Sequence, residues 1–137
     1  MPHPIHPVLV HFPIACWSLG SVADVAGIVM GKGVAEWAAL LITAGLILAV
    51  PAIFTGLLDL GSAGKGDDEV NTAMSHITFV LITWSLYAAS LYVRTALFTV
   101  SHYIPIALSL AGLISLGIAG WYGGRLVYTY GVGVNIK

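Results

Sequence analysis

His6 and His11 stand near the start of the chain in His6-Pro7-Val8-Leu9-Val10-His11-Phe12-Pro13, and an unbroken apolar stretch follows. His76 begins another apolar stretch, and Asp59 ends the one before it. A neutral imidazole ligates a transition metal through one ring nitrogen while a hydrogen bond fixes the other. Two imidazoles at comparable depth on different helices are what trans ligation of a haem iron needs, and His11 with His76 meet that condition. His6, held out of regular helix by its prolines, is the reserve ligand. Asp59 is placed to accept an imidazole N–H, or simply to meet the next loop or interfacial water. The same His6, His11, His76 and Asp59 set would equally suit a bare copper, zinc or iron ion. The plain alternative is that the imidazole tips reach into the membrane interface and bind nothing. There is no nucleophile elbow, no His-Glu-x-x-His helix and no phosphate loop, so hydrolase chemistry has no motif behind it.

Positioning these groups falls to membrane helices. Of 137 residues, 58% are hydrophobic and 8% charged, and the mean hydropathy is +0.95. A soluble domain of this size exposes too much surface to hide so much apolar side chain. The net charge of -1 gives no footprint for nucleic acid. Cys16 is the single cysteine, so neither an internal disulfide nor a thiolate cluster can form. The opening lacks a basic flank and reads as a retained span rather than a leader. Spans of about 20 apolar residues fall at 8–30, 37–58, 76–97 and 103–122. Their short connections imply an all-α, up-down-up-down four-helix bundle forming one domain over residues 1–137. Trp37, Tyr103, Trp121 and Tyr122 sit at span ends as interfacial aromatics do. No internal repeat is evident.

This topology gathers His6, His11, Asp59, His76, Arg125, Tyr128 and Tyr130 at one mouth of the bundle, leaving Lys32, Glu36, Arg94 and His102 at the other. Arg125, Tyr128 and Tyr130 could meet the propionates of a haem. Gly45, Ala49, Ala52, Gly56 and Asp59 form one stripe of small residues along the second span, where helices approach closely. Asp24 lies within the first span, and Arg94 ends the third on the same side. A structural ion pair between them would offset the cost of an acid in the membrane; a proton or ion path is the alternative.

The opening His6-Pro-x-x-Val-His11-Phe-Pro-Ile-Ala, Gly56-x-x-Asp59, His76, and the close Gly123-Gly124-Arg125-Leu126-Val127-Tyr128-Thr129-Tyr130-Gly131-Val132-Gly133-Val134 together resemble the small bacterial membrane proteins called domain of unknown function 2231. The resemblance covers essentially the whole chain. It implies a four-span domain that in some members accompanies cytochrome c-like domains, which tilts the reading toward redox work and haem. Tyr130 stands where the family's closing motif is expected to carry a histidine. The expected function is therefore a b-type haem electron carrier of the bacterial inner membrane, with a cytochrome c-like partner. Its alternatives are a haem-free subunit of a larger membrane complex and a metal-ion protein. No stand-alone enzyme activity is assigned. Lys32 closely follows the first span and no Lys or Arg precedes it, so both termini and the histidine mouth are expected on the periplasmic side. Arg94 agrees, while Lys65, Arg125 and Lys137 oppose.

Overall fold

The computed structural model describes residues 5–60, 66–96 and 103–133. Lys65, His102 and Lys137 lie outside them. The chain is all-helical over these residues: α1 (His6–Leu9), α2 (His11–Met30), α3 (Lys32–Leu60), α4 (Asp67–Ala96) and α5 (Tyr103–Tyr128). Taking α1 and α2 as one segment, four helices are long and apolar enough to cross a membrane.

The helices run further than apolar composition alone indicates. His6 is the first residue of α1 rather than non-helical, because Pro7 occupies the first turn, whose amides lack partners anyway. The break at Val10 follows from Pro13, whose ring crowds the carbonyl four residues earlier, that of Leu9. Between α2 and α3 only Gly31 leaves the helical path, with φ +90, instead of a loop spanning 31–36. Helix α4 begins at Asp67, more than two turns before His76, with Asp67, Asp68 and Glu69 in its first turn. Acidic residues there complement the helix dipole, and their polarity hides the helix from a hydropathy reading. Helix α5 runs through Arg125 to Tyr128.

Two hairpins make the bundle. Helix α2 packs chiefly on α3 and α4 on α5; the hairpins meet through α2–α5 and α3–α4, and α1 lies on α3. Close approach depends on glycine: a Cβ on Gly20 would come 3.1 Å from Ile42, and one on Gly27 3.2 Å from Ala35. Trp17, Ile42, Leu46, Ala49 and Tyr87 form the buried core. Leucine, isoleucine and valine side chains cover the outside. The molecule is a multi-pass membrane protein in contact with lipid.

The hairpins are also two copies of one unit, a relation the sequence hides. Trp17 and Asp24 on α2 meet Tyr87 and Arg94 on α4, each pair 70 residues apart. His6 and His76 stand at the same interval. Gly45, Ala52 and Gly56 of α3 recur with identical spacing as Gly112, Ala119 and Gly123 of α5. Since α2 and α4 run in the same direction, the copies are parallel repeats about an axis along the membrane normal.

Candidate functional site

Each repeat builds the same histidine seat. The His6 Nδ1–H donates to the Ala52 carbonyl at 2.7 Å, and the His76 Nδ1–H to the Ala119 carbonyl at 2.8 Å. A carbonyl only accepts, so Nδ1 carries the proton in both rings. One turn beyond each carbonyl is a glycine that makes room for the ring. A Cβ at Gly56 would fall 2.8 Å from His6 Cε1, and one at Gly123 would fall 3.1 Å from His76 Cε1. Neither Nε2 has a hydrogen-bond partner among the described residues.

Both histidines line a cavity of about 370 Å³ at this mouth of the bundle. Trp17, Ala49, Leu116 and other apolar side chains form most of its wall, with His11 and Asp59 among its polar members. Beneath it Trp17 stacks on Tyr87. The same repeat appears here: a Cβ on Gly45 would strike the Trp17 ring at 2.5 Å, and one on Gly112 the Tyr87 ring at 2.9 Å.

The other expected site residues are placed differently. His11 is exposed, and its Nδ1–H donates to the Pro7 carbonyl of its own helical turn at 2.6 Å. Asp59 is half-buried in the cavity wall. Arg125 and Tyr128 are exposed in the last turn of α5, Tyr128 at 91%, and Tyr130 is half-buried in the turn that follows. None of these three lines the cavity. Among the described residues no group of three or more His, Cys, Asp or Glu converges as a metal ion would need. A bare-ion site of His6, His11, His76 and Asp59 is therefore not assembled. The sequence reading missed Ala52, Gly56, Ala119 and Gly123 as the residues that seat the imidazoles. The stripe on α3 was visible, and its counterpart on α5 was the signal available.

Toward the opposite face, Arg94 Nη2 donates to Asp24 Oδ2 at 2.5 Å, and Ser109 Oγ donates to the same oxygen. Arg94 also bonds Ser90 Oγ, whose hydroxyl donates to the Pro105 carbonyl at 2.7 Å. Ser21 Oγ shares a 2.8 Å hydrogen bond with the Tyr87 hydroxyl.

The chain matches no curated protein and no solved structure. One family model matches residues 2–136, nearly the whole chain. With its four spanning helices, this chain belongs to the family described as Predicted membrane protein (DUF2231).

Proposed function

We propose that the protein is a membrane-embedded electron carrier in which His6 and His76 hold a redox-active metal group, haem b being the first candidate. One observation carries the reading. Two repeat-related imidazoles have Nδ1–H tied to a carbonyl and Nε2 open beside an apolar cavity. A tied Nδ1 fixes ring orientation and tautomer and raises the basicity of the ligating nitrogen. This favours His6 over His11 as the partner of His76, because His11 is exposed and bonded only to its own turn. The cavity is at the small end of ligand sites and smaller than a whole porphyrin, so a haem edge must extend past its walls. Arg125, Tyr128 and Tyr130 remain candidates for the propionates only beyond those walls. A copper, zinc or iron ion on the same two imidazoles is the smaller alternative occupant. A cytochrome c-like protein is the proposed redox partner.

The visible spectrum of gently solubilised protein, expressed with ample haem, tests this. A near-stoichiometric haem band that His6→Ala and His76→Ala abolish and His11→Ala retains is the expected result. Colourless protein ends the haem reading, and elemental analysis then decides on a bare ion.

A second reading, a haem-free subunit of a larger membrane complex, rests on α5. Gly117 is exposed there with nothing within 4 Å of a Cβ, and Gly120, at the cavity's edge, is equally open, a surface on which a neighbouring helix could pack closely. It requires co-purification with a partner and tolerance of all three histidine substitutions.

A further inference from the structure

The pair formed by Asp24 and Arg94 is incompletely closed. Arginine and carboxylate commonly join fork to fork, through two parallel hydrogen bonds. Here both donors, Arg94 Nη2 and Ser109 Oγ, converge on Asp24 Oδ2. Asp24 Oδ1 and Arg94 Nε, two atoms that a fork would join, are both buried without a partner among the described residues. Asp24 is only 2% exposed. Orphaned polar atoms of a buried ion pair are rare and costly, and water is the usual group that satisfies them.

We propose that Asp24 and Arg94 together bind one internal water, which accepts from Arg94 Nε–H and donates to Asp24 Oδ1, and which enters from the membrane face opposite the histidine cavity. Arg94 is in the last turn of α4 and its side chain keeps 14% exposure, so the pair lies nearest that end of the bundle. On the histidine side of the pair, Trp17, Ser21 and Tyr87 are all buried. The stacked Trp17 and Tyr87 rings and the Ser21–Tyr87 hydrogen bond lie between the cavity and Asp24. The bundle thus has an apolar cavity bordered by His6 and His76 toward one end and the Asp24–Arg94 pair toward the other, with the stacked Trp17 and Tyr87 rings between them. This inference is independent of what His6 and His76 hold.

Water-edited solid-state NMR of the full chain in lipid, labelled with ¹⁵N-arginine, tests it directly. The chain has two arginines, Arg94 and the exposed Arg125, and Arg125→Lys assigns their signals. Magnetisation from water should reach Arg94 Nε–H at mixing times that saturate Arg125, although Arg94 Nε has no surface of its own. The transfer should persist in Ser109→Ala, because water rather than the serine hydroxyl supplies it. An Arg94 Nε–H that stays dark while Arg125 saturates, or a transfer lost in Ser109→Ala, would overturn the proposal.

Discussion

Trp17 and Tyr87 stack with ring centroids 5.0 Å apart and planes 5° from parallel, and each occupies the same position in its repeat. Each ring covers a glycine of its own hairpin, Gly45 or Gly112. The stack therefore sets how closely the hairpins can meet beneath the cavity.

Gly45→Ala and Gly112→Ala should each destabilise the fold by about 1–3 kcal/mol, since the added methyl meets a ring held on its other face. Gly117→Ala and Gly120→Ala, where an added Cβ meets nothing within 4 Å, should be neutral or stabilising by up to about 1 kcal/mol. Thermal midpoints in one mild detergent make the comparison. Equal losses at all four positions would show that clearance for the rings is not the cause.

Arg94→Met strands a buried carboxylate and should cost about 3–5 kcal/mol, whereas Asp24→Leu combined with Arg94→Met should recover most of that loss. A double-mutant cycle on heat stability measures the coupling. Additive effects would mean that the ion pair contributes nothing beyond its separate side chains.

In protein freed of any bound group, ¹⁵N-histidine NMR at neutral pH should find His6 and His76 as Nδ1–H tautomers. Their Nδ1–H groups already have carbonyl acceptors in Ala52 and Ala119. Gly56→Ala and Gly123→Ala should each disturb only the histidine seated beside it. Nε2–H tautomers at both rings would remove the basis for metal ligation through Nε2.

The first-span charge argument predicts that the histidine mouth lies outside the cytoplasm. Gly33 and Gly66 are exposed at opposite ends of the bundle. In a Cys16→Ser background, Gly66→Cys should react with an impermeant thiol reagent in intact spheroplasts, and Gly33→Cys should not. The reverse pattern would invert the orientation.

The four helices were legible because lipid demands long apolar segments, and the side assignment followed from their alternation. Helix ends were not. The first turns of α4 are polar and α3 starts at Lys32, so hydropathy fades before the hydrogen-bonded ladder does. The histidine mouth was legible, but the choice between His6 and His11 was not, because it depends on which carbonyl each ring reaches. The repeat escaped notice because its matched positions carry unlike residues: Trp17 answers Tyr87, Gly20 answers Ser90, and Asp24 answers Arg94. Only the histidines His6 and His76 and the small residues of α3 and α5 kept their identity, the latter where a ring needs room.

The exchange of Asp for Arg between the two repeats has a consequence for assembly. Two first hairpins meeting face to face would set carboxylate against carboxylate inside the membrane, and two second hairpins would set guanidinium against guanidinium. Either self-pairing leaves like charges in a medium that screens them poorly. Only the mixed pairing cancels charge. The two halves thus recognise each other as non-identical partners, which disfavours hairpin swapping between neighbouring molecules into like pairs while the chain is being inserted.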